Sequence, residues 1–154
     1  MLRASLLITF VSSLLFAPAA EAVIQLDRAI SGARLGNSKA EVRTALGQPR
    51  RVIHRAGLFG PTTEFRYRGG LRVIFLSGRV TLAGTTGLGD RTRRGVGVGS
   101  TEQAVRNKVP GVTCETFEGT RICSRGAEQP GERGSFFFIR QGEVTRVDVA
   151  LVID

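Results

Sequence analysis

From residue 23 onward the chain alternates short apolar runs with glycine-bearing turn signals, the pattern of hairpin-connected strands. Two stretches break that period with helical spacing. Val42, Ala45 and Leu46 form one apolar stripe, as Ala104, Val105 and Val109 do. Ser38 followed by Glu41 reads as a capping box, with Ser100 followed by Gln103 as its counterpart. Gly47-Gln48-Pro49 and Pro110-Gly111 stop the two helices. After the first helix come strand-like runs at 51–56, 63–67, 71–76 and 79–84, and after the second at 112–117, 120–124, 135–140 and 143–153. The glycine-rich stretch 84–99, with Arg91, Arg93 and Arg94, joins the two sets, and 126–134 reads as a long polar loop.

The two sets resemble each other. Gly36-Asn37-Ser38-Lys39-Ala40-Glu41-Val42-Arg43 lines up with Gly99-Ser100-Thr101-Glu102-Gln103-Ala104-Val105-Arg106 at an offset of 63. Phe75-Leu76-Ser77-Gly78-Arg79-Val80-Thr81 lines up with Ile139-Arg140-Gln141-Gly142-Glu143-Val144-Thr145 at an offset of 64. Matches in the same order at nearly one offset point to an internal repeat. The expected fold is therefore α+β: two tandem repeats, 23–88 and 89–154, each a short helix or helix pair plus a four-stranded antiparallel meander sheet. The two are expected to form one body, because a unit of this size with few large apolar residues is marginal alone.

The run Leu35-Gly36-Asn37-Ser38, then Val42, then Leu46-Gly47-Gln48-Pro49, resembles the helix signature of the small outer-membrane assembly lipoproteins. The tandem arrangement is similar to that of the β-lactamase inhibitory protein family. The resemblance covers residues 30–83 and 95–154. It implies an exported, non-catalytic chain that binds another protein, as an inhibitor or as an assembly factor. The lipoprotein branch implies a lipidated cysteine after the signal, and this chain has none there.

Residues 1–22 carry a basic start at Arg3, an apolar stretch from Leu6 to Phe16, and the small-x-small pattern Ala20-Glu21-Ala22, which together read as a secretory signal with cleavage before Val23. Export and no anchor in the mature chain are the expectations. The net charge of +9 is unevenly placed: residues 23–88 hold ten Arg and one Lys against three acids, whereas residues 89–154 hold nine Arg and one Lys against nine acids. The basic half admits an anionic envelope polymer or an acidic protein as partner. Export argues against nucleic acid.

Two cysteines in an exported chain imply one disulfide. Residues 112–117 and 120–123 pair through the turn Glu118-Gly119, which sets Cys114 opposite Cys123. At such a non-hydrogen-bonded pair the α-carbons lie about 4.5 Å apart, within bridging range.

Chemistry-bearing motifs are scarce. His54 is the single histidine, inside the strand-like Val52-Ile53-His54, with no nucleophile or acid at a motif spacing. Gly87-Leu88-Gly89 and Gly95-Val96-Gly97-Val98-Gly99 lack the Lys-Ser/Thr and the third fingerprint glycine of phosphate-binding loops. No catalytic residue, metal site or cofactor is expected.

The expected binding surface is one face of the sheets. A three-residue loop, Arg68-Gly69-Gly70, puts Phe65, Tyr67, Leu71, Val73 and Phe75 on the helix-covered face, and Glu64, Arg66, Arg72, Ile74 and Leu76 on the other. Arg66 then stands opposite Arg72, an arrangement relieved by a carboxylate or phosphate from a partner. Matching the repeats buries Phe137 and Ile139 and leaves Phe136 and Phe138 beside those arginines; the alternatives are that the 84–99 stretch or the 126–134 loop folds over Phe136 and Phe138, or that those two point inward. Arg66, Arg72, Phe136 and Phe138 are the candidate contact residues, since Arg and aromatic side chains dominate interface hot spots.

Overall fold

Three two-residue turns set the architecture. Ser77-Gly78, Glu118-Gly119 and Gln141-Gly142 each hold both residues at positive φ, between 45° and 81°. That geometry matches the right-handed twist of the strands it joins. The computed structural model describes residues 23–126 and 129–153. The secretory-signal reading of residues 1–22 lies outside the described residues.

Three two-residue strands come first: β1 (Ile24–Gln25), β2 (Ala29–Ile30) and β3 (Ala33–Arg34). Helix α1 (Lys39–Leu46) follows, then β4 (Arg51–Arg55), β5 (Thr62–Arg66), a 3-10 turn (Arg68–Gly70), β6 (Arg72–Leu76) and β7 (Arg79–Thr85). Helix α2 (Glu102–Lys108) then leads into β8 (Val112–Phe117), β9 (Thr120–Gly126), β10 (Arg133–Arg140) and β11 (Glu143–Leu151). The small strands form a three-stranded sheet, and β4–β11 form one antiparallel sheet in the order β4-β5-β6-β7-β11-β10-β9-β8.

This corrects the expected fold class. Strand accounts for 49% of the described residues and helix for only 14%, so the protein is mostly β. The helices are eight and seven residues long. Two helix-plus-four-strand repeats with separate sheets are not what forms, because β7 and β11 pair with each other over Leu82–Thr85 and Val147–Ala150. An unpaired edge exposes a row of backbone donors and acceptors, and joining the two meanders through their last strands removes two such edges. The β1–β3 sheet was not anticipated: its strands are too short to show alternation.

Within the sheet, the strand boundaries fall within two residues of those read from the alternation; the start of β10 (Arg133) extends that strand into the expected loop. Two β-bulges were missed. The register slips between Ile74 and Phe75 opposite β7, and between Phe138 and Ile139 opposite β11. At each slip a threonine hydroxyl donates across the hairpin, Thr81 to the Ile74 carbonyl at 3.4 Å and Thr145 to the Phe138 carbonyl at 3.3 Å. A bulge inserts one residue and re-aims the side chains beyond it.

Both helices begin on hydroxyl caps. Ser38 accepts from the Glu41 amide while the Glu41 carboxylate accepts from the Ser38 amide. The second cap is Thr101, accepting from the Ala104 amide at 3.1 Å, rather than Ser100. Each short helix contributes one fully buried residue, Val42 or Val105. These meet Phe65, Val73, Phe75, Val80, Phe137, Val144, Val147 and Val149 from one face of the sheet. Ile24, Ile30, Leu35, Val96 and Val98 complete the same core, so the β1–β3 sheet and the 84–99 stretch also cover that face. Burying Phe65, Phe75 and Phe137 contributes about 2–3 kcal/mol each relative to exposure.

An ion-paired clasp ties the N-terminal sheet to the far half of the molecule. Ser135 Oγ, fully buried, accepts from the Asp27 amide and donates to Asp27 Oδ1, both at 2.7 Å. Arg125 Nε donates to Asp27 Oδ2 at 2.7 Å and its Nη1 to the Pro110 carbonyl at 2.7 Å.

Candidate functional site

The second face of the eight-stranded sheet carries the candidate residues. Strand pairing places Arg66, Arg72, Gly84, Asp148, Phe136, Ser124 and Thr113 in one row across seven strands. Arg66 stands opposite Arg72 as expected. Phe137 and Ile139 are buried, whereas Phe136 and Phe138 are half-buried on the arginine side.

The electrostatics differ from the expectation. Each arginine of the facing pair already has a carboxylate from this chain. Arg66 Nε donates to Glu64 Oε1 at 2.7 Å, and Arg72 Nη2 donates to Asp148 Oδ2 at 2.8 Å. The like-charge contact is relieved inside the molecule and does not need a partner's anion. Arg72 and Asp148 stand on β6 and β11, which β7 separates. They meet because the residue between them is Gly84, where an added β-carbon would collide with Asp148 Oδ1 and approach Arg72 Nε to 2.9 Å.

Asp148 is 3% exposed although it lies on the uncovered face, because arginines close over it. Arg146 Nε comes within 3.1 Å of Asp148 Oδ2, close enough for charge attraction but not aligned for a hydrogen bond. The Arg146 guanidinium lies 3.6 Å from the centroid of the Phe138 ring, a cation–π contact. A continuous chain of contacts therefore runs Arg72, Asp148, Arg146, Phe138. Burial pushes the Asp148 carboxyl above its usual range, with both arginines pulling the other way. Asp148 Oδ1 and Arg72 Nε are buried with no hydrogen-bond partner among the described residues. Asp148 is thus desolvated before any partner arrives, whereas the Arg72 and Arg146 side chains stay 31% and 35% exposed.

Sequence reasoning missed Arg146 and Asp148. Their alternation with Val147 and Val149 along β11 was a usable signal. The bulge hid its meaning: without it Phe138 would face Thr145, whereas the observed partner is Arg146.

Apolar side chains flank this centre. Ile74, Leu76, Leu82 and Ala150 line a groove of about 190 Å³, closed on one side by the 57–60 loop. On that loop Leu58 is 99% exposed and Phe59 58% exposed.

The remaining chemistry-bearing groups are placed as follows. Thr63 Oγ1 lies 3.3 Å from His54 Nδ1 and accepts from Lys39 Nζ at 2.9 Å. Among the described residues no carboxylate hydrogen-bonds to the His54 ring. Cys114 and Cys123 form the expected disulfide at directly opposed positions, with α-carbons 3.9 Å apart. Glu102 lies beside them, but thiols joined in a disulfide do not ligate metal. Among the described residues no helix is long and apolar enough to cross a membrane.

No protein-family model matches this chain, and no curated protein matches it. Among solved structures, it is similar to an extracellular protein containing an SCP domain from Bacillus anthracis, with a TM-score of 0.57 and 9% identity over 93% of this chain. The chain spans 50% of the length of that protein. This likeness shows the fold alone. A cysteine-rich secretory protein from Staphylococcus aureus matches at TM-score 0.49 and 12% identity, covering 76% of this chain and 44% of that one. A DUF4309 family protein from Bacillus subtilis matches at 0.46 and 13% identity, covering 80% and 84%. These two weaker likenesses support no conclusion. The disulfide is that of a protein working outside the reducing cytoplasm.

Proposed function

We propose that this protein is a secreted, non-catalytic protein-binding module that docks through the uncovered face of its eight-stranded sheet, in the manner of an inhibitor. The observation that supports it most is the Arg72–Asp148–Arg146–Phe138 chain, set among half-buried Phe136, Ile74 and Leu82. Arginine and aromatic side chains that are already packed lose little freedom on binding, which is the property of hot-spot residues. The run from Leu35 to Pro49, which resembles the helix signature of the envelope assembly lipoproteins, accords with the same reading.

A second reading, a cell-envelope structural or assembly factor that holds an anionic polymer or envelope protein, is supported by the excess of arginine in residues 23–88. Contacts of that kind weaken steeply with added salt, whereas a protein interface of standard size does not.

A photo-crosslinking amino acid placed at Phe138, with Arg43 on α1 as the control position, tests the proposal in the source organism's envelope and medium. The expected result is a discrete protein adduct from position 138 alone. Arg66→Ala combined with Phe138→Ala is expected to weaken binding of that protein by about 2 kcal/mol or more with the fold intact by circular dichroism. Identical adducts from both positions, or none from 138, would overturn the proposal.

A further inference from the structure

At the other end of β5 and β6, away from the apolar groove, a cleft of about 570 Å³ opens between five segments. The end of α1 contributes Leu46 and Gln48, the lead into β4 contributes Arg50, and the β5–β6 connection contributes Tyr67, Arg68 and Leu71. Ser31 and Asp90 close it from the β2–β3 turn and the 84–99 stretch. A volume of a few hundred Å³ suits a small organic ligand.

The walls are held together by close backbone contacts. Gly69 and Gly70 take positive φ of 75° and 87°, and the Gly70 carbonyl accepts from the Thr86 amide at 3.3 Å. A β-carbon at Gly70 would collide with Thr86, and one at Gly87 would come within 2.7 Å of the Gly69 carbonyl. Both glycines are therefore needed for the 86–90 segment to close against the connection. Asp90 is anchored by a hydrogen bond from the buried Thr85 hydroxyl. The Tyr67 hydroxyl reaches the Gly47 carbonyl at 3.4 Å, and burial pushes its pKa up.

The chemistry of the lining is selective. Among the described residues neither Arg50 nor Arg68 forms a salt bridge, unlike Arg66 and Arg72 nearby. Two exposed guanidinium groups at one cleft take an anionic oxygen group well. Asp90 rules out a simple anion trap, because its carboxylate accepts hydrogen bonds and offers none. Asp90, Gln48 and Ser31 instead suit ligand hydroxyls. Tyr67, Leu46 and Leu71 supply an apolar surface for the face of a ring. We infer that this cleft binds an acidic sugar, its carboxylate held by Arg50 and Arg68, its hydroxyls by Asp90 and Gln48, and its ring against Tyr67. The cleft lies apart from the Phe138 region of the sheet face, so this inference stands or falls independently of the proposed protein docking.

Amide NMR titration of the full mature chain tests it with D-glucuronate, D-glucose, acetate and an alginate oligomer as probes. The expected result is that glucuronate shifts the Tyr67, Gly69 and Leu71 amides saturably at millimolar concentration, and that glucose and acetate each bind at least tenfold more weakly. Arg50→Gln with Arg68→Gln should lower glucuronate affinity at least tenfold while the remaining spectrum stays in place. Arg68→Gln alone, on the exposed connection, gives the same reading should the double variant fail to fold. Tighter binding of the oligomer would assign the cleft to a unit of a polymer, and equal binding to the free sugar; both uphold the site. Acetate or glucose matching glucuronate, unchanged affinity in the arginine variants, or no saturable shift would overturn it.

Discussion

Gly84 and Asp148 face each other across the β7–β11 pair, and the glycine's missing side chain is the space in which the aspartate meets Arg72. Gly84 does not have positive φ, so its role is room and not backbone freedom. Gly84→Ala is expected to destabilise by about 1–3 kcal/mol through forced overpacking beside a buried charge. Urea denaturation measures it. Stability equal to that of the parent would mean the Arg72–Asp148 contact moves aside without loss.

Glu102 gives the acid side of the stability curve. Hydrogen bonds from Arg121, at 2.6 and 3.1 Å, and from Arg106, at 2.8 and 3.0 Å, hold its pKa down to about 2 from a usual 4.5. A depressed carboxylate contributes stability above its unfolded value and loses it as pH falls through the folded value. The stability gap between the parent and Glu102→Gln should therefore shrink steadily between pH 4.5 and about 2. A gap that stays constant over that window, followed by thermal melts, would show that the arginines do not stabilise the ionised form.

The Cys114–Cys123 bond closes a loop with a sequence separation of nine inside one hairpin. On the chain-entropy estimate it contributes about 2–3 kcal/mol. Reduction should lower Tm while leaving the far-ultraviolet circular dichroism spectrum of the folded state, since the rest of the core does not depend on it. Two titratable thiols in unreduced, unfolded protein would contradict the bond.

Residues 23–88 alone should not unfold cooperatively. Cutting there strips β11 from β7 and removes Val96 and Val98 from the core around Ile24 and Ile30. Calorimetry of that fragment is expected to show no sharp transition, and a sharp one would mean that the half holds its own core.

Much of the local structure was legible in the chain because short-range rules decide it. Glu118-Gly119 as a turn, and with it Cys114 opposite Cys123, follow from the two-residue hairpin geometry. Phe65, Val73 and Phe75 facing the core, and Arg66 opposite Arg72, follow from alternation with a period of two. The Ser38–Glu41 capping box lies within four residues.

What only the tertiary structure decided depends on contacts between distant segments. The pairing of β7 with β11 joins residues more than sixty positions apart and turns two expected sheets into one. Local propensity has no term for the free energy of two unpaired edges meeting. The bulges at Ile74 and Phe138 each shift the register by one residue, which is enough to bring Arg146 onto Phe138 and Gly84 opposite Arg72. Asp148 reads in the chain as a scattered acid. It becomes the buried centre of the sheet face because Arg72, 76 residues away, reaches it across a strand that has no side chain at that point.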